Sequence, residues 1–239
     1  MDIKSVIRRA LAQKRIMLEK KSLKELDSRG FMSRIFYAHS TMGDVIIHVL
    51  SPVDEQRIQK THNKIMLIGK MLENHPDIPT ARVFAYGSLT RDTVFTVQSC
   101  IEGRPLGNRV IKKNTIVGRY FYSKTKHLPG VLRLIARIHK IPLKKYGYFK
   151  ITKKHLEGTY PTWQSFLETE SKRWIHVLLK TAKKNDLQFL KKIQTTIPAI
   201  LKKYKKKLNI KSPRLIHGDM INPGNILINK ERISGIIDF

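Results

Sequence analysis

Residues 215–229 read LIHGDMINPGNILIN, and IIDF follows at 236–239. Short apolar runs bounded by turn residues read as buried strands. The stretch is therefore a strand, a tight polar loop and a second strand, with ISGIIDF as the return strand of a hairpin. That hairpin holds Asn225 at the opening of one strand and Asp238 at the end of the other, so both oxygens reach the same rim. His217 and Gly218 let the loop turn tightly, and the imidazole can pin its backbone.

An amide oxygen and a carboxylate suit Mg²⁺, a hard ion that keeps its other positions for water and phosphate. Asp219, in the connecting loop, can orient an attacking hydroxyl or accept its proton. Metal, positioning and charge neutralisation are what phosphoryl transfer requires. As a turn-capping carboxylate Asp219 would need none of these neighbours, whereas Asn225 after Pro-Gly has a turn role as its alternative.

The rest of the chain supplies a two-lobed α+β frame rather than an alternating βαβ sheet. Apolar spacing predicts a helix over 3–20. SRIFYAHS (33–40) and DVIIHVLS (44–51), joined by TMG, read as a hairpin. A helix follows over 54–74, then strands ARVFAYGS and TVFTVQSC. IEGRPLGN reads as a hinge. Helices are expected over 127–141, 161–184 and 186–208, the last kinked or broken at Pro198. RLIH is expected to return to strand. The domain boundary falls between a β-rich lobe, 1–99, and a mostly helical one, 100–239.

Composition narrows the setting. With 41% hydrophobic residues in 239, the chain can bury a core. No apolar run approaches the roughly 18–20 residues of a membrane span, and the start lacks a secretory signal. A single cysteine, Cys100, excludes an internal disulfide and a cysteine zinc cluster, so a reducing cytoplasm is the expected location. Net charge is +29, which attracts polyanions at long range. The basic run LKKYKKKLNIKSPR (201–214) could track nucleic-acid phosphates, but lysines closing a helix C-terminus are the reading preferred here. Nucleic acid is thus a possible partner, not the favoured one.

The segments HGDMINPGN and SGIIDF resemble the catalytic stretch of the aminoglycoside phosphotransferase family, small-molecule kinases that share the protein-kinase fold. The resemblance extends upstream through RGFMSRIFY, ENHPDIPTARVFAYG, SCIEGRPL, LIARIHKIP and YPTWQSFLE. It implies ATP and Mg²⁺ as cofactors and a small-molecule hydroxyl as acceptor. Asp219 would be the catalytic acid, with Asn225 and Asp238 as metal ligands. Gly30, Ser33 and Arg34 would lie over the phosphates, and Ser99 and Ile101 would offer hinge backbone to adenine. His48 takes the position of the phosphate-clamping lysine.

Three features depart from the family pattern. Asn225 is six residues after Asp219, where the family has five, which makes Asn222 a rival ligand. His48 replaces lysine, and no acid stands between Gln56 and Leu72 to pair with it; Lys60 or Lys64 could reach the phosphates instead. The family continues past Ile-Asp-Phe by several helices, so an incomplete C-terminal lobe is expected. Two functions follow: an ATP- and Mg²⁺-dependent phosphotransferase, or a degenerate, non-catalytic kinase-like binding module, with nucleic acid among its targets.

Overall fold

Alternation of side chains along β-strands assigns the faces of the first sheet. The computed structural model describes residues 2–26, 33–51, 55–107, 111–112, 115–116, 126–152, 155–182, 186–220 and 222–238. Its elements run α1 (Ile3–Gln13), β1 (Lys24–Leu26), β2 (Ser33–Ser40), β3 (Gly43–Leu50), α2 (Glu55–Glu73), β4 (Val83–Ser88), β5 (Val94–Ser99), β6 (Arg104–Pro105), β7 (Ile111–Lys112), β8 (Thr115–Ile116), α3 (Leu128–Ile138), β9 (Tyr146–Thr152), β10 (His155–Tyr160), α4 (Trp163–Thr181), α5 (Leu187–Lys203), β11 (Ile226–Asn229) and β12 (Arg232–Ile236). They form two compact units, one of residues 1–138 with 217–239 and the other of residues 139–216.

In the first unit, β1, β2, β3, β5 and β4 make a five-stranded sheet in that order, antiparallel throughout. Phe36 and Ala38 of β2, Val45, Ile47 and Val49 of β3, and Phe95 and Val97 of β5 point to one face, where Ile7 and Leu11 of α1 complete a closed core. Each of these side chains larger than alanine contributes roughly 1.5–3 kcal/mol by leaving water. The opposite face carries His48, Thr96 and Gln98, and it meets α2 through a cavity that Ile65, Ile68 and Leu72 also line. Gly69 lets α2 lie close to β4, since a Cβ there would come within 3.3 Å of Val83.

A second sheet, β12-β11-β6, belongs to the same unit. Ile236 N–H donates to Pro79 O at 2.8 Å, and Thr80 forms a parallel bridge with Ile236. The strand that leads to Asp238 is thereby stitched to the link between α2 and β4. Gly235 is required beside the hinge, because a Cβ there would sit 2.6 Å from the Ile101 side chain.

In the second unit, α4 starts on a capping box in which Thr162 and Ser165 bond each other's backbone. The hairpin β9–β10 packs aromatic rings at its base, with Tyr148 and Tyr160 edge-on to Phe166. Glu157 accepts from Lys145 and Lys150, each at 3.4 Å.

Several expected boundaries change. The first helix ends at Gln13, because Arg15 adopts φ 60° and Ile16 N–H turns back onto Leu11 O, a left-handed termination. Helix α5 continues unbroken through Pro198 and ends at Lys203. RLIH forms no strand; Arg214 makes one isolated bridge to Pro142. The β9–β10 hairpin and β1 had no counterpart in the expected element list. Among the described residues, no helix is long and apolar enough to cross a membrane.

Candidate active site

The polar loop after Ile216 is held by its own side chains. Gly218 has φ 87° with open space where a Cβ would stand, so glycine is needed there for its backbone and not for room. His217 spans the loop. Its Nε2–H donates to Ile237 O at 2.8 Å, and its Nδ1 accepts the Asp219 N–H at 3.3 Å. One imidazole therefore ties the backbone of Asp219 to the residue before Asp238, with its proton on Nε2.

The extra residue between Asp219 and Asn225 is absorbed by an Asx turn. Asn222 Oδ1 accepts from Gly224 N–H at 3.1 Å, Asn222 N–H donates to Asp219 O at 3.1 Å, and Asn225 N–H donates to Asn222 O at 3.0 Å. A single 3-10 turn, Pro223–Asn225, then enters β11. Asn225 is 3% exposed, and its Nδ2 donates to both Asp219 O at 3.2 Å and Asp219 Oδ2 at 3.1 Å. The carboxylate fixes the orientation of the amide, because only its nitrogen can donate there. Asn225 Oδ1 in turn accepts from Asn222 Nδ2 at 3.1 Å. Asn222, the rival ligand, is thus a turn residue and a neighbour of Asn225.

Asp238 lies two residues beyond Ile236, the last ladder residue of β12, and has φ 63°. A non-glycine residue in this conformation costs about 1–2 kcal/mol and recurs at functional sites. Ile237 N–H donates to Asn225 O at 3.0 Å, which sets the backbones of Asn225 and Asp238 side by side. The Asp238 carboxylate accepts no hydrogen bond from a described residue. It lines the same cavity as His48, about 170 Å³ in volume, with Thr80, Thr96 and Gln98.

His48 lies half-buried on β3, where burial pulls its imidazole below the usual pKa and the Asp238 charge partly opposes that. Gln98 Nε2 donates to His48 Nε2 at 3.0 Å. Lys64 is exposed and does not line the cavity, and the Lys60 side chain lies outside the described residues.

The remaining expected nucleotide contacts divide. Gly30 lies outside the described residues. Ser33 opens β2 opposite Leu50, and its side chain is likewise undescribed. Arg34 grips Glu25 through two 2.7 Å hydrogen bonds, which raise the guanidinium pKa and lower that of the carboxyl. Ser99 spends its N–H on Arg82 O at 2.8 Å and its Oγ on Arg82 N–H at 2.9 Å. The Ile101 backbone makes no hydrogen bond with a described residue, and its side chain packs on Gly235. The structure thus gathers His217, Asp219 and Asn225 in one hydrogen-bonded loop and His48 with Asp238 around one cavity. It does not bring Arg34 to either. Gln98 was absent from the expected set; its signal was its place two residues along β5 from the cross-strand partner of His48.

Among the described residues, no three His, Cys, Asp or Glu side chains form a metal-binding group. A model of the phosphotransferase enzyme family matches residues 13–239. No curated protein matches. Among solved structures, aminoglycoside phosphotransferase APH(4)-Ia is similar with a TM-score of 0.59 at 17% identity, over 98% of this chain and 71% of that one. A thermostable mutant of it, in a ternary complex with AMP-PNP and hygromycin B, gives a TM-score of 0.59 at 16% identity, over 97% and 70% of the two chains. At these identities the likeness is one of fold.

Proposed function

Because the chain belongs to the phosphotransferase enzyme family, we propose that it moves the γ-phosphate of ATP, with Mg²⁺, to a hydroxyl of a small molecule. The observation that carries this reading is the Asn225 amide on Asp219. Despite the extra loop residue, the acid is held at 3.1 Å by a buried amide and stays exposed towards an incoming acceptor.

Asp219 positions the acceptor hydroxyl and takes its proton as the phosphoryl group moves. Its second carboxylate oxygen accepts no hydrogen bond from a described residue, so it is available for that contact. His217 keeps the Asp219 backbone in register with Ile237, and so sets the acid against the strand that ends in Asp238. Ile101, whose backbone bonds no described residue, offers its N–H and carbonyl to adenine. Arg34 reaches phosphate only by exchanging Glu25 for it. Residues 1–99 serve as the nucleotide-covering part and 100–239 as the part that supplies the acid.

The donor set fits Mg²⁺: among the described residues, the Asp238 carboxylate accepts no hydrogen bond, and the Asn225 amide oxygen accepts one, from Asn222. When bound, the ion would neutralise charge on the β- and γ-phosphates. The AMP-PNP and hygromycin B complex of the solved relative supports a nucleotide donor and a small-molecule acceptor. A net charge of +29 favours a neutral or anionic acceptor over a polycationic one.

The second reading, a non-catalytic relative that serves as a binding module, draws support from His48. A half-buried imidazole with a lowered pKa is neutral at pH 7 where the family has a lysine. Thermal shift separates the two. Under the first reading ATP raises Tm only with Mg²⁺, by the equivalent of about 2.7 kcal/mol at a hundredfold excess over Kd. Asp238→Ala abolishes that rise, and Asp219→Asn leaves binding intact but removes turnover. No metal-dependent shift, with salt-sensitive RNA binding instead, would establish the second.

A further inference from the structure

Three polar side chains share one wall of the cavity on the α2 side of the sheet. In the β3–β5 register Thr96 stands directly across from His48, and Gln98 opposite Ile46. All three therefore project to the same face. Gln98 is the diagonal neighbour of His48, a separation that long side chains bridge, and its Nε2 donates to His48 Nε2 at 3.0 Å. An amide nitrogen only donates, so His48 Nε2 accepts and the proton of the neutral ring sits on Nδ1. Beside them, Thr96 is 3% exposed, and its Oγ1 has no hydrogen-bond partner among the described residues.

Among the described residues of α2, none that lines the cavity carries a polar side chain. The α2 residues that line the cavity are Ile65, Ile68, Gly69 and Leu72, and no acid lies between Gln56 and Leu72. An acid would also be poorly placed, since the cavity already holds the Asp238 carboxylate and would have to admit phosphate. A neutral amide orients the ring without adding negative charge to that space.

We propose that Gln98 is the positioning residue for His48, and that it holds the ring so that Nδ1–H is kept as a donor to a nucleotide phosphate oxygen. The partner of the phosphate-contacting residue thus comes from strand β5. The unsatisfied Thr96 hydroxyl marks the place where a ligand or water atom completes the group. This rests on the phosphotransferase reading above, and its test has one arm that does not.

That arm is the tautomer of His48, read from long-range ¹H–¹⁵N spectra of the nucleotide-free protein above pH 7. The expected result is a protonated Nδ1 and a bare Nε2 in the wild type, with the Nε2–H form gaining population in Gln98→Leu. The second arm is a double-mutant cycle on ATP affinity in Mg²⁺. Gln98→Leu should weaken ATP about tenfold in the wild type, the scale of one lost charge-assisted hydrogen bond. In a His48→Ala background it should change affinity less than about twofold. A wild-type ring protonated on Nε2 overturns the proposal, as does a tautomer unchanged by Gln98→Leu. Equal ATP losses in both backgrounds also overturn it, because Gln98 would then act without His48. Absence of ATP binding in the wild type defeats the phosphotransferase reading and with it the phosphate contact, while the spectra still decide whether Gln98 orients the ring.

Discussion

At the scale of single residues, position in a register matters more than identity. His217 and His48 are both imidazoles beside backbone or amide partners, yet one fastens two loops and the other borders a cavity. The HGD and IIDF signals were legible because spacing along the chain carries them. Gln98 was not, since its link to His48 spans fifty positions and appears only when β3 and β5 are paired. The pairing of Arg34 with Glu25 was hidden for the same reason: β1 is three residues long and gives almost no periodic signal. His48 also makes stability depend on pH. Its folded pKa lies below the ordinary 6.5, so the unfolded chain binds the proton more readily. Stability is therefore complete above about pH 6.5 and falls as pH drops towards the folded value. His48→Leu should remove that part of the slope, so its urea midpoint, compared with that of the wild type, should rise steadily from pH 7 to pH 5.

At the scale of elements, apolar periodicity located each helix of ten residues or more and every strand of the main sheet except β1. It failed where polar and aromatic residues mix. The β9–β10 segments YGYFKIT and HLEGTY mix glycine, charged and aromatic residues, and the pairing of Glu157 with Lys145 and Lys150 is a tertiary event. At Pro198, expected to kink or break the helix, α5 is not broken. Pro198 is exposed, so the cost is a lost backbone hydrogen bond and local crowding against residue 194. Pro198→Ala should stabilise the protein by about 1–3 kcal/mol, measured as a higher thermal midpoint with unchanged far-UV circular dichroism. An unchanged or lower midpoint would mean that the surrounding structure had already accommodated the ring.

At the scale of the whole molecule, charge and exposed apolar surface are unevenly distributed. Residues 139–216 hold 20 Lys plus Arg against 4 Asp plus Glu, a net of +16 out of +29. Among the described residues they also carry nine of the thirteen exposed large hydrophobics, Trp174, Val177, Leu178 and Phe189 included. Helices α4 and α5 bury only Ile175 and Leu190, so this unit depends less on a closed core than the sheet over α1 does. Phe189 is 65% exposed, and Phe189→Ser should leave the thermal midpoint within the equivalent of about 0.5 kcal/mol while lowering the binding of an apolar dye. A large destabilisation would show instead that Phe189 is part of the packing.

The bond from Ile236 to Pro79 has a mechanical consequence. A displacement of the link between α2 and β4 would be passed to the peptide two positions before Asp238, and through Ile237 to the imidazole that steadies Asp219.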